Sequence, residues 1–280
     1  MPVADDEPQS RRSFLPPPPP KPTEHLQQRA LGFVSHLGQL SQMTAGTLRA
    51  SFRRPLEFKE FVRQLESLGV ASLGIVVVTS VFIGMVMSVQ FAFGLQKFGG
   101  MEYTGRVVGL SFSRELAPTL TAVIVGGRIG AGMAAELGSM AVTEQLDAVR
   151  ALGADPLKKL VWPRLAASII VMPILAALAL VLGFSGAMLI TDIEFNIPAD
   201  FFLRSALGTV GMKDFLSGMF KTPFFGAIIA LVGCHFGMTT RGGTAGVGDS
   251  TTRTVVVISI SILIADFFLT KVAIILWPAF

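Results

Sequence analysis

The sequence predicts an all-α membrane protein with an N-terminal interfacial amphipathic helix, five transmembrane helices and a short cytoplasmic helix. Of its 280 residues, 51% are hydrophobic and only 15% are charged, whereas a soluble domain carries about 25% charged residues. Three stretches, residues 67–96, 165–191 and 222–240, contain no Asp, Glu, Lys or Arg. A helix needs roughly 20 residues to cross a bilayer, so each stretch predicts one transmembrane span.

Two further spans are predicted where charged residues interrupt an apolar stretch. Residues 107–134 contain Arg114, Glu115 and Arg128, and residues 254–277 contain Asp266 and Lys271. Charged residues inside a span are costly and are typical of functional or paired positions. The expected total is therefore five spans within residues 67–280.

The distribution of Lys and Arg predicts the orientation of these spans. Residues 1–66, 128–164 and 241–253 contain 9, 5 and 2 basic residues, and the rest of the chain contains 7 of the 23. Basic residues concentrate on the cytoplasmic side of membrane proteins. The expected orientation has a cytoplasmic N-terminus and a periplasmic C-terminus, and the basic balance is explained without a nucleic-acid partner.

The N-terminal region is expected to differ from the spans. Residues 1–23 are polar and proline-rich, with consecutive prolines from Pro16 to Pro20, which predicts a disordered tail. Residues 24–66 are expected to form an amphipathic helix and a basic approach to the first span. Apolar residues recur there at intervals of three and four, namely Leu26, Ala30, Phe33, Leu37 and Leu40. A surface helix on the membrane is favoured, and a helix packed against another subunit is the alternative.

The charges in the second predicted span have three interpretations. Arg114 and Glu115 could line a cavity or gate, pair with neighbouring helices, or lie near the interface, in decreasing order of preference. Pro118 lies one turn later and can open the helix, which exposes backbone carbonyls. In the last span, Asp266 and Thr270 are one turn apart and share a face, where a structural role for Asp266 is favoured over a transport role.

The connection between the second and third spans predicts a short cytoplasmic helix. Residues 144–152 have a helical pattern, and Gly153 marks its end. Asp155 can cap the next helix, and Pro156 suits its first position. A short ordered helix between two spans is typical of a docking element for another protein.

Known catalytic and metal-binding motifs are missing from the sequence. It has no phosphate-binding lysine loop, no His-Glu-x-x-His helix, no Gly-x-Ser-x-Gly elbow and no Cys-x-x-Cys pair. The glycine-rich run 126–132 is expected to pack helices closely. No catalytic residue, metal site or bound cofactor is predicted. The single Cys234 is interpreted as a packing residue, and for His235, a lone polar group within a span, a structural role is favoured over a functional one.

Several stretches together resemble the MlaE (YrbE-like) permeases of lipid-transporting ABC systems. The resemblance covers nearly everything after Arg54. It lies in Arg54-Pro55, Phe82 to Val86 with Gln90, Arg114 to Pro118, Glu144 to Ala148, Gly153 to Pro156, Pro163-Arg164, Thr244 to Thr252 and Asp266 to Thr270.

The resemblance implies a bacterial inner-membrane permease that works as a homodimer and moves phospholipids or related lipids. Its implied partners are a separate ABC ATPase, which binds the ATP, an MCE-domain protein expected as a hexamer, and in some systems a STAS-domain protein. The lipid cavity or gate would include Arg114, Glu115, Pro118, Gln90 and Asp266. The coupling helix would present Glu144, Gln145, Asp147, Leu152, Gly153 and Asp155 to the ATPase.

Two alternatives from other classes stay open on the sequence alone. In an ion-coupled secondary transporter, Asp266, Glu115 and Arg114 would carry protons or ions through the membrane. In a scaffold that only anchors other subunits, these charges would have no transport role. The first would need an ion gradient and no ATP, and the second would tolerate neutral residues at Arg114 and Glu115.

Overall fold

The computed structural model describes residue 35, residues 38–49 and residues 58–276. The predicted disordered tail, residues 1–23, lies outside the described residues. Most of the predicted interfacial helix and part of the basic approach also lie outside them. The placement of this region on a membrane surface therefore stays a prediction.

The chain divides into two compact units, Met1–Ser41 and Gln42–Phe280. In the first unit, the described residues are helical, and the Ser41 hydroxyl donates a hydrogen bond to the Gly38 carbonyl oxygen over 2.8 Å. In the second unit, residues 42–49 are helical and bury Met43 and Thr47. These two residues are four apart and so lie on one face of that helix.

Seven helices, joined by short turns, follow between residues 58 and 276 of the second unit. They are α1 (Phe58–Gln96), α2 (Met101–Val142), α3 (Gln145–Ala151), α4 (Leu157–Phe195), α5 (Ala199–Leu207), α6 (Met212–Met238) and α7 (Gly243–Leu276). Helix α2 begins with a turn of 3₁₀-helix and contains a π-helical segment, Phe112–Leu120, and α4 begins with a shorter one, Leu157–Val161. The described residues contain no strand.

Five of these helices, α1, α2, α4, α6 and α7, are long and apolar enough to cross a membrane. This confirms the predicted all-α membrane class with five spans. Each helix begins before the apolar stretch that predicted it, because polar and charged residues precede that stretch within the same helix. The last helix begins at Gly243, eleven residues before the predicted stretch 254–277.

Close contacts between small residues hold the spans together. Helix α1 buries one residue in every four along a narrow stripe, comprising Gln64, Leu68, Ser72, Val76, Ser80, Gly84, Ser88 and Ala92. A Cβ atom on Gly84 would overlap the backbone of Gly183 in α4, and one on Gly186 would overlap the backbone of Val81. Backbones approach this closely only where side chains are very small. The two helices therefore pack against each other along glycine contacts.

The glycine-rich run in α2 packs in the same way. A Cβ on Gly126 would lie 2.9 Å from Ile229 of α6, and one on Gly130 would overlap Ile258 of α7. This confirms the predicted packing role at both positions. Gly132 differs, because a Cβ there would meet nothing within 4 Å.

The predicted helix between the second and third spans is α3. Its N-cap, Glu144, has a φ of 60°, and Gly153 beyond its end has a φ of 72°. Both values lie in the left-handed region, which turns the chain sharply at each end. The Asp155 carboxylate then accepts a hydrogen bond from the Leu157 N–H over 2.9 Å, which confirms the predicted cap of the following helix.

Candidate functional site

Three spans meet at a cluster of charged and polar side chains, which we call the charge cluster. It comprises Glu115 from α2, Lys221 from α6, and Asp266 and Thr270 from α7. The Lys221 side chain is 1% exposed. Its Nζ lies 2.7 Å from Glu115 Oε2, 3.0 Å from Asp266 Oδ1 and 2.7 Å from the Thr270 hydroxyl. One buried ammonium group therefore joins α2, α6 and α7.

The π-helical segment of α2 supplies a fourth acceptor to this lysine. Pro118 lies inside the segment and has no N–H to donate to a carbonyl of the preceding turn. The carbonyl oxygen of Arg114 accepts a hydrogen bond from Lys221 Nζ over 3.2 Å. The prediction that Pro118 opens the helix toward a cavity or a partner is in keeping with this contact.

Arg114 bonds to a different part of α6 from its neighbour Glu115. Its guanidinium Nε lies 2.7 Å from Asp214 Oδ1, and a second nitrogen lies 2.5 Å from the same oxygen. The other carboxylate oxygen of Asp214 accepts the Gly211 N–H over 2.7 Å at the start of α6. Asp214 therefore both caps α6 and ties it to α2.

The pairing of these charges offsets the cost of placing them within the spans. A buried charge without a partner is strongly unfavourable, and one with partners and hydrogen bonds is tolerated. In the charge cluster, Lys221 contacts two carboxylates, and the Glu115 carboxylate also accepts the Thr270 hydroxyl over 3.1 Å. The structure therefore contains the pairing that was one of the three interpretations of Arg114 and Glu115.

Sequence reasoning brought together some of these residues and missed others. Glu115 and Asp266 were predicted site residues, and they meet through Lys221. Lys221 and Asp214 were not predicted, because both precede the uncharged stretch 222–240. The signal in the sequence is the set of apolar residues before Lys221, namely Phe215, Leu216, Met219 and Phe220. They continue the apolar pattern toward the N-terminus, and α6 indeed begins nine residues before Lys221.

The remaining predicted cavity residues lie apart from the cluster contacts. Pro118 is buried within α2, where a Cβ on Gly218 of α6 would approach its ring to 3.1 Å. Gln90 is exposed on α1. Of the five predicted cavity residues, Arg114, Glu115 and Asp266 take part in the ion pairs between spans.

The predicted coupling residues all lie at the exposed end of α2 and around α3. Glu144, Gln145, Asp147, Leu152, Gly153 and Asp155 are exposed. Leu152 is 85% exposed, which is high for a large apolar side chain, and Leu146 anchors α3 because it is 4% exposed. Helix α3 therefore has one buried anchor and an accessible outer surface.

An apolar groove of about 460 Å³ opens on another face of the bundle. It is lined mainly by apolar side chains from α4, α5 and α6, including Leu180, Phe184, Met188, Leu203, Leu207 and Phe215. Ser113, the residue before Arg114, also lines it. The groove has the size and polarity to hold a hydrocarbon chain.

Five spans with paired charges inside the bundle define a multi-pass integral membrane protein of a class typical of transport. The family model described as Permease MlaE matches residues 61–272. The chain belongs to the MlaE permease family, which confirms the resemblance found in the sequence.

Curated relatives support the same assignment. A probable ABC transporter permease of Synechocystis is 42% identical over 209 residues, covering 75% of this chain and 80% of that protein. A probable ABC transporter permease of Rickettsia felis is 36% identical over 244 residues, covering 87% and 94%. The chloroplast protein trigalactosyldiacylglycerol 1 of Arabidopsis thaliana is 40% identical over 216 residues. That alignment covers 77% of this chain and 62%, less than two thirds, of the Arabidopsis protein.

Proposed function

We propose that this chain is the membrane-spanning subunit of an ABC transporter that moves phospholipids or related lipids. The observation that carries the proposal is the family match over residues 61–272, which takes in nearly all of the five-span bundle. Relatives that align over most of their length are named ABC transporter permeases. The Arabidopsis relative is named for trigalactosyldiacylglycerol, a lipid by that name, which favours a lipid as cargo.

In this proposal ATP is hydrolysed by a separate ATPase subunit that docks on α3. The exposed surface around Leu152, Glu144 and Asp147 supports this role, because an apolar residue beside charged ones is suited to a protein interface. Leu146 ties α3 to the bundle. Movement of the ATPase would therefore be transmitted to the ends of α2 and α4, between which α3 lies.

A second copy of the chain is proposed to cover α7. Only 11% of the apolar window of α7 is buried within this chain, against 50% for α2. Its large exposed side chains recur at helical intervals, namely Val256, Ile260, Leu263, Ile264, Phe267 and Phe268. A homodimer would bring two such faces together.

The lipid cavity is proposed to form where the charge cluster reaches the surface of one protomer. The side chain of Glu115 is 40% exposed and that of Arg114 is 31% exposed. Both side chains are therefore partly accessible from outside the protomer, although each forms an ion pair. A cavity lined partly by these residues and by Pro118 and Asp266, to which the resemblance adds Gln90 from α1, would open and close as α2, α6 and α7 change position.

The proposed location is the bacterial inner membrane with the N-terminus in the cytoplasm. The start of α1, the end of α2, helix α3 and the start of α4 share one end of the bundle, and their basic residues favour the cytoplasmic side. The opposite end would face an MCE-domain protein, expected as a hexamer. A STAS-domain protein is proposed as an additional partner of the ATPase.

Tagged purification of the full chain tests the proposal, with mass spectrometry of co-purified proteins and lipids. An ATPase, an MCE-domain protein and phospholipid are the expected partners. The recovered complex is then placed in proteoliposomes, and transfer of a fluorescent phospholipid is followed with and without ATP. Transfer driven by a proton or ion gradient without ATP would instead support an ion-coupled transporter.

The docking role of α3 predicts the effect of Leu152→Ser. Leu152 is 85% exposed, so the variant should fold normally. Loss of one interface anchor should reduce ATP-driven lipid transfer about tenfold. Val70→Ser on α1, where Val70 is 63% exposed and does not line the apolar groove, is the matched control, and it should keep normal coupling. Equal transfer by both variants and the unchanged protein would contradict docking through Leu152.

A further inference from the structure

A pocket of about 230 Å³ lies at the end of the bundle that carries α3, away from the charge cluster. We call it the headgroup pocket. It is lined by residues from α1, α2 and α4, namely Glu60, Arg63, Glu136, Met140, Lys159, Leu160 and Arg164. Its walls therefore combine three cationic and two acidic side chains.

The pocket lies at the position along the helices where the polar surface of a membrane is expected. In α1 the uncharged stretch 67–96 begins just after Arg63 and Glu66, and in α4 the stretch 165–191 begins directly after Arg164. The rings of Phe61 and Trp162 lie 6.2 Å apart beside it, and Trp is enriched at membrane–water interfaces. A ligand here would be at the level of lipid headgroups.

The charges in the pocket leave an excess of one cation. Arg164 pairs with Glu136 at 2.8 Å, and Arg63 lies 3.6 Å from Glu60. Lys159 is exposed and has no ion pair among the described residues. Three cations and two carboxylates give a formal charge of +1, which complements one negative charge.

Arg164 forms the buried cationic floor of this site. The residue is 1% exposed, and one of its terminal nitrogens donates to the Leu160 carbonyl oxygen over 2.7 Å. Its Nε is buried and has no hydrogen-bond partner within the described part of the chain. Because that atom has almost no accessible surface, a ligand cannot contact it directly, and Arg164 contributes positive charge from beneath the pocket.

We infer that the headgroup pocket binds the phosphate of an anionic phospholipid. Arginine and lysine bind phosphate oxygens by charge-assisted hydrogen bonds, and basic pockets between spans bind acidic headgroups. The ammonium of Lys159 supplies the donor, Arg164 adds positive charge from the buried floor, and Arg63 lies at the exposed rim. The lipid is a resident one at the membrane surface, so the inference is independent of the proposed transport of cargo.

The test is lipid binding to the purified full chain by native mass spectrometry. Phosphatidylglycerol, with one net negative charge, is compared with zwitterionic phosphatidylcholine of the same acyl chains. Lys159→Gln should weaken phosphatidylglycerol binding about fivefold, the usual effect of one basic residue near a lipid surface. The matched control is Lys158→Gln, because Lys158 is the adjacent lysine and does not line the pocket.

The expected result is a preference for phosphatidylglycerol that Lys159→Gln reduces and Lys158→Gln leaves unchanged. Arg63→Gln gives a second variant, also at an exposed position, which should weaken the same binding. Equal binding of the two lipids, or equal losses in both lysine variants, would overturn the inference. Displacement of the lipid by millimolar inorganic phosphate would also overturn it, because the pocket would then be a site for free anions.

Discussion

Two cations are buried in different regions of this protein, and their surroundings differ. Lys221 lies in the charge cluster, and its ammonium contacts four oxygen atoms from α2 and α7. Arg164 lies at the end of the bundle and contacts one carbonyl of its own helix and one carboxylate, Glu136. Lys221 therefore links three spans, whereas Arg164 links two helices.

Burial alone therefore does not determine how much a charged side chain contributes to stability. The two acidic partners of Lys221 are only 40% and 18% exposed, whereas the side chain of Glu136 is 47% exposed. Without its cation, Glu136 would be a single hydrated carboxylate. Without Lys221, Asp266 would have poor access to water and would also lie beside a second carboxylate, that of Glu115, whose exposure is close to that of Glu136. The contribution of each cation to stability should differ accordingly.

The largest expected effect is that of Lys221→Met. Removing the ammonium leaves two partly buried carboxylates without a cation, which typically costs about 3–5 kcal/mol of the free energy of unfolding. The measurement is reversible unfolding of the purified chain in detergent. A loss below about 1 kcal/mol would mean that the cluster does not stabilise the fold.

A triple variant separates the effect of unpaired charge from the effect of lost packing. Adding Glu115→Gln and Asp266→Asn to Lys221→Met removes the uncompensated charges, so a large part of the lost stability should return. If the triple variant were as unstable as the single one, the loss would come from packing and not from unpaired charge.

A smaller effect is expected for Arg164→Met. The substitution removes one ion pair and the carbonyl hydrogen bond to Leu160, but Glu136 stays hydrated. The expected loss is about 1–3 kcal/mol of the free energy of unfolding, measured in the same detergent without added lipid. A loss as large as that of Lys221→Met would show that the two buried cations contribute equally to the free energy of unfolding.

The smallest effect is expected for Arg204→Gln on α5. Arg204 lies 3.7 Å from Asp200, and the two side chains are 83% and 69% exposed. Such surface pairs contribute below about 0.5 kcal/mol. Unfolding that differs from the unchanged chain by more than this amount would indicate that α5 has a further contact through Arg204.

The spans were predictable because the hydrocarbon core of a membrane disfavours charged residues along the whole length of a spanning helix. The stretches 67–96 and 165–191 lie within α1 and α4, and α3 was predicted from its end signals. Helix ends were less predictable: α7 begins at Gly243, where Gly242 and Gly243 have φ values of 92° and 67°. A glycine pair is typical of a turn, and the glycine-rich and polar residues directly after it lack the apolar pattern of a span, so the predicted stretch begins only at residue 254.

The ion pairs could be predicted only in part. The sequence identified Glu115 and Asp266 as costly charges in need of partners, but it did not reveal that Lys221 lies between them. These partners are 106 and 45 residues away from Lys221 along the chain. Such pairs depend on which helix faces meet, and that depends on packing along all of the spans.

The two consecutive charges on α2 restrict how α6 can move. Arg114 pairs with Asp214, and Glu115 pairs with Lys221. Helix α2 is therefore bound to α6 at two positions that lie seven residues apart along α6. These points are separated by two helical turns, roughly 10 Å along the axis. A slide or a rotation of α6 against α2 would break both ion pairs together, whereas bending of the two helices would preserve them. These two helices should therefore flex as a single mechanical unit.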